Sequence, residues 1–134
     1  MKTRIFFQFI GLSLLLLGLG AAQAQRMYDS AGRLLGRVDG ERFHDSAGRQ
    51  IGRIDGHYIH DSAGRQLGRV EGDRVYNASG NQMGRIEGDR LFSASGTMMG
   101  RFDGERIYDG SGHLIGRAEG LRRRQMVIYF YFFM

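Results

Sequence analysis

The chain has 134 residues, 22 of them glycine, with no proline, cysteine or tryptophan and a single lysine, Lys2. Without cysteine, a disulfide framework, a thiolate-held zinc and a bacterial lipid anchor are all excluded. The formal net charge of +5 is too mild for a nucleic-acid binder.

Residues 1–24 read as a secretory signal. Lys2 and Arg4 form a short basic start, Ile5 to Leu19 an apolar stretch, and Ala22-Gln23-Ala24 a small-x-small cleavage site. Cleavage after Ala24 leaves a chain starting at Gln25, and loss of Lys2 and Arg4 lowers its net charge from +5 to +3. The expected setting is periplasmic, outer-membrane-associated or secreted. Every basic residue that remains is arginine, whose planar fork suits carboxylate pairing and ring stacking.

Residues 25–121 form a repeat domain. Six 16-residue units follow one another from Arg26, each with three glycines at a fixed step, such as Gly48, Gly52 and Gly56. So many glycines exclude helix, at about 1 kcal/mol each in a helix interior. Two turn signals alternate instead. Asp39-Gly40, Asp55-Gly56, Glu71-Gly72 and their copies suit two-residue hairpin turns with the acid and glycine as the central pair. Asp45-Ser46-Ala47-Gly48 and its copies carry Asp first and Gly fourth, as a type I turn prefers.

Each unit is therefore two short strands. We expect a four-residue loop at Asp45 to Gly48, pairing His44 with Arg49 and Phe43 with Gln50. Gly52 is then placed opposite Ile59, leaving room for it. The inner face carries Phe43, Gln50, Gly52 and Ile54, with Met27, Ile59, Val75, Leu91 and Ile107 as copies of Phe43. The outer face carries Arg42, His44, Arg49, Ile51, Arg53 and Tyr58. An open row of strands exposes two edges, and closure removes both. The expected fold is all-β: a shallow closed ring or barrel of five or six hairpins, with a β-solenoid or linear hairpin stack as the alternative.

Residues 122–134 break the repeat. Arg122-Arg123-Arg124 is followed by an apolar and aromatic run from Met126 to Met134, too short to cross a bilayer as a helix. We expect a C-terminal strand that completes the ring or fills its middle, or else meets a membrane. Tyr129, Phe130, Tyr131, Phe132 and Phe133 are the candidate plug or membrane contacts.

Candidate chemistry is sparse. His44 and His60 share one slot in neighbouring units, but Tyr28, Tyr76, Phe92 and Tyr108 hold it elsewhere, so the slot asks for a flat ring rather than a metal ligand. Arg37, Arg53, Arg69, Arg85, Arg101 and Arg117 recur in all six units. They form either an annulus for an acidic glycan or lipid headgroup, or a set neutralised by local acids and stacked on a cross-strand ring such as Tyr58. The repeated acids have like neighbours, whereas a hydrolase needs two carboxylates in different environments. We expect no catalytic residues, no metal and no cofactor.

The repeat Asp-Ser-Ala-Gly-Arg-x-Leu/Ile-Gly-Arg-Val/Ile-Asp-Gly, between a secretory leader and an aromatic tail, resembles the bacterial beta-flower proteins. The resemblance implies a short symmetric barrel of four to six hairpins in the cell envelope, and no reaction or functional residue. The resulting expectation is a non-enzymatic exported scaffold. A glycan- or anion-binding module and an outer-membrane-associated β-ring are the alternatives. Partners would be itself, another envelope protein, or a membrane reached through the tail, and not nucleic acid.

Overall fold

The computed structural model describes residues 25–134, and the expected leader lies outside them. Twelve strands follow in order: β1 (Arg26–Asp29), β2 (Leu34–Asp39), β3 (Arg42–Asp45), β4 (Gln50–Asp55), β5 (Tyr58–Asp61), β6 (Gln66–Glu71), β7 (Arg74–Asn77), β8 (Gln82–Glu87), β9 (Arg90–Ser93), β10 (Met98–Asp103), β11 (Arg106–Asp109) and β12 (Leu114–Glu119). Each pairs antiparallel with its chain neighbours, and β1 pairs with β12 to close a barrel. At that seam Arg26 faces Glu119 and Met27 faces Ala118. Closure excludes the solenoid and the linear stack, and it leaves no free edge to attract another strand.

Both turns differ from expectation by a small shift. Asp39 pairs with Arg42, so Gly40 and Glu41 are the central residues, not Asp39 and Gly40. Gly40 has φ +63°, and glycine at the first central position is the mark of a II′ turn. Moving the turn one residue on spares the acid a left-handed backbone. At the other end, Gly48 N–H bonds Asp45 O at 3.0 Å and Asp45 N–H bonds Arg49 O at 2.9 Å. With Gly48 at φ +89°, this is a type I turn plus one left-handed residue, a three-residue loop.

The four-residue loop and its register are therefore overturned. His44 pairs with Gln50 and Phe43 with Gly52, and Ile51 is the extra residue of a bulge. Both expected registers slip by two residues, an even number, so the inner set survives from Phe43 to Gly52, Ile54 and Ile59. Beyond the bulge the parity reverses. Gln50 is exposed, while Ile51 packs on the core.

Two inward rings make the core. Met27, Phe43, Ile59, Val75, Leu91 and Ile107 are fully buried, and of the second ring Ala118 is fully buried and Val38, Ile54, Val70, Ile86 and Phe102 nearly so. Instead of the expected strand, the tail folds as α1 (Arg123–Ile128), continued by a π-helical turn over Tyr129–Phe133. The β1–β12 seam leaves no edge for a thirteenth strand. A helix meets its own backbone hydrogen bonds inside an apolar lumen, which a lone strand cannot do.

Candidate functional site

The barrel has two ends. One carries the two-residue turns at Gly40, Gly56, Gly72, Gly88 and Gly104, and α1 lies across it. Gln125 is 3% exposed and pins the helix. Its Nε2 donates to Gly40 O at 2.9 Å, and its Oε1 accepts the Arg122 N–H at 2.8 Å. Arg124 Nη2 donates to Gly56 O at 3.0 Å. Met126, Val127, Ile128 and Tyr129 then enter the core.

Below them the tail meets the inward glycines unit by unit. A Cβ on Gly100 would lie 2.9 Å from the Phe130 ring, and one on Gly84 would lie 2.6 Å from the Tyr131 ring. The Phe132 ring is 2.8 Å from the same point on Gly68, and the Phe133 ring crowds that on Gly52. Four successive residues thus cover four successive units. Twelve strands taken in pairs step about 60° round the axis, while an α-helix advances about 100° per residue. The wider i→i+5 winding turns less per residue and so stays closer to the barrel's step. Gly52 was expected to make room for Ile59. It pairs with Phe43 and Asp61 instead, and the space above it holds Phe133.

Tyr129 to Phe133, the candidate plug contacts, therefore all lie inside the barrel. Phe133 packs 5.0 Å from Phe43, and Phe130 meets Phe102 edge-on at 6.4 Å. Tyr131 donates its hydroxyl to Phe92 O at 2.8 Å. Burial pushes its phenol up to about 12, and burial likewise raises Tyr129.

The six repeated arginines lie on the outside. Each faces the flat-ring slot of the next strand: Arg37 with His44, Arg53 with His60, Arg69 with Tyr76, Arg85 with Phe92, Arg101 with Tyr108 and Arg117 with Tyr28. The guanidinium carbons of Arg69, Arg85, Arg101 and Arg117 stand 4.1–4.6 Å from those ring centroids. The stacking ring is thus Tyr76 and its copies, not Tyr58. Arg53, Arg69, Arg85 and Arg117 also pair with the acid two residues on, at 3.1–3.8 Å. On the opposite flank stands a second arginine in five units: Arg26, Arg42, Arg74, Arg90 and Arg106 face Arg37, Arg53, Arg85, Arg101 and Arg117. The outer face therefore runs in stripes of acid, arginine, arginine, ring.

The loop acids act locally. Asp45 Oδ1 accepts the N–H groups of Ala47 and Arg49, each at 2.9 Å, and Oδ2 pairs with Arg49 Nε at 3.1 Å. Hydrogen bonding from the Arg49 N–H holds its carboxyl below the usual range, with burial opposing. Among the described residues no group of three or more His, Asp or Glu side chains could hold a metal ion.

Sequence reasoning gave Gln125 no role and did not place Arg124 or His57 at the barrel mouth. The signal was present: a glutamine directly after three arginines at the entrance to an apolar run. His57 also stands where other units carry Glu41, Asp73, Asp89 and Glu105.

Strands, seam and plug together define a closed antiparallel β-barrel made from one repeated unit and filled by its own C-terminal segment. Residues 24–134 match the family model described as "5-fold beta-flower protein", and the chain belongs to that family. No curated protein and no solved structure matches it.

Proposed function

We propose that the protein is a non-enzymatic, exported cell-envelope scaffold: a six-petalled flower whose sixth petal is the β1–β12 seam. The filled lumen carries this reading. The space in which a barrel of this kind would hold a substrate is taken by Tyr129 to Phe133, and five of the six repeated arginines, all but Arg37, are stacked on a ring, paired with an acid, or both. Export is supported by the composition of residues 1–24. Insertion as an outer-membrane β-ring is disfavoured, because a lipid-facing band needs outward apolar residues, and arginines and acids occupy the outer face here. The decisive experiment combines fractionation of cells expressing the full chain with a broad glycan, ester and peptide turnover panel. Recovery in the envelope or medium without turnover is expected. Cytoplasmic retention, or turnover abolished by a single outer-face substitution, would overturn the reading.

A second reading, an acidic-glycan module, is favoured by the five side-by-side arginine pairs. Like charges directly opposite each other are unfavourable in a sheet unless something offsets them. Binding to an acidic polysaccharide that fades from low to high salt, and weakens in Arg85→Gln, supports it. Binding indifferent to salt counts against it.

A further inference from the structure

The barrel repeats, but the helix lying across its mouth does not, and their junction leaves a cavity of 340 Å3 lined by His57, Val70, Gly72, Asp73, Ile86, Arg123, Arg124 and Val127. Its floor is the aliphatic trio Val70, Ile86 and Val127, from three separate elements. Its rim holds two guanidiniums and an imidazole against one carboxylate.

Two larger clefts, of 410 and 530 Å3, behave differently. One is lined by Asp39, Glu41, Arg42, Arg53, Ile54 and Asp55, and the other holds the repeat-equivalent residues Glu87, Asp89, Arg90, Arg101, Phe102 and Asp103. Each sets three carboxylates against two guanidiniums, so its lining is net acidic and repels an anion.

The cavity beneath the helix has the opposite sign for a specific reason. The second residue of each mouth turn is acidic at Glu41, Asp73, Asp89 and Glu105, but histidine at position 57. One carboxylate is thus missing from the acidic collar beside Arg123 and Arg124. Among the described residues neither arginine has a carboxylate oxygen within 4.0 Å. Arg124 is held by Gly56 O, which leaves the Arg123 guanidinium as the unpaired cation on the rim.

An apolar floor with a few convergent polar groups, in a volume of this order, is the usual form of a small-molecule site. We propose that this cavity binds an amphiphilic carboxylate, its head against Arg123 and His57 and its medium-length alkyl or aryl body on Val70, Ile86 and Val127. A guanidinium fork matches a carboxylate in two parallel hydrogen bonds, which fixes the head. Removal of the alkyl body from water supplies most of the affinity.

Octanoate is the probe, with octan-1-ol and octyltrimethylammonium as comparators, read by calorimetry on the full barrel at low and moderate salt. Saturable octanoate binding is expected, with octanol at least about tenfold weaker and the ammonium weaker still. Arg123→Gln and His57→Asp both lie on exposed residues, and the second restores the residue type of the other turns. Each is expected to weaken octanoate about tenfold or more while leaving Tm and octanol binding unchanged. No saturable octanoate binding, equal binding of octanol, or octanoate binding untouched by both variants would overturn the proposal.

Discussion

A single atom decides much at the residue scale. A Cβ at position 84 would stand 2.6 Å from Phe92 O and from the Tyr131 ring, so backbone must move to admit it. Gly84→Ala is expected to cost about 1–3 kcal/mol in a urea titration. The loop aspartates predict an acid dependence. The carboxyls of Asp29, Asp45, Asp61 and Asp109 are held below 3.8, chiefly by the N–H of Arg33, Arg49, Arg65 and His113 respectively. A pKa lower in the folded than in the unfolded state stabilises above the unfolded value and loses that contribution as pH falls through the folded one. The urea midpoint should therefore drop as pH falls below 3.8. In Asp45→Asn/Asp61→Asn the drop should be shallower, because Asn77 already makes the same two backbone bonds at 3.0 Å without a charge. Tyr131 acts at the opposite extreme. Its phenol is raised to about 12, so its stabilisation holds below the ordinary value of 10.0 and is lost as pH climbs from 10.0 towards 12. Tyr131→Phe should unfold with less pH dependence across that window, as followed by circular dichroism.

The tail is the part that matters most at the scale of elements. Met126, Val127, Ile128 and Tyr129 are all at most 5% exposed, and burial of such side chains is worth roughly 2 kcal/mol each. That approaches the stability of a whole domain. A chain ending at Arg124 should therefore lose most of its cooperative thermal transition. Gln125→Leu, which strands Gly40 O and the Arg122 N–H, should lose about 1–3 kcal/mol. The tail's place inside the barrel was within reach of the sequence, because nine apolar residues at the end of a short repeat chain need cover. Its helical form was not. The apolar run has no strand-like alternation to exclude or require either state, and the choice depends on whether the sheet offers an edge. The bulge at Ile51 was equally hidden. A period of 16 residues constrains the parity of a register but not a slip by two.

Taken as a whole, the barrel was the most legible part of the chain. Six copies of one unit without proline leave few ways to satisfy the outer strands except by joining them. His57 is visible as a break in the repeated acidic position, but no period says where α1 crosses the mouth, so the cavity that gives the break its meaning needed the three-dimensional arrangement. The ring and its filling should also be energetically coupled. Removal of one unit, Arg74–Asp89, takes away Gly84 and the seat of Tyr131, and narrows the lumen for the residues on either side. Tail truncation should then cost clearly less in the shortened ring than in the full one, as measured in a double-mutant cycle by thermal melts. Equal costs in both backgrounds would mean that the tail does not read the number of units.

Gly36 differs from its five counterparts in one respect. The three heavy atoms nearest to its missing Cβ all belong to the His44 and Asp45 backbone, and no tail atom is among them. One molecule therefore carries a built-in reference position. Alanine placed there reports the bare steric demand of the sheet, and the same change at Gly68, where the backbone oxygen approaches equally closely, reports that demand plus the aromatic lodger, so subtracting one from the other isolates what the lodger contributes.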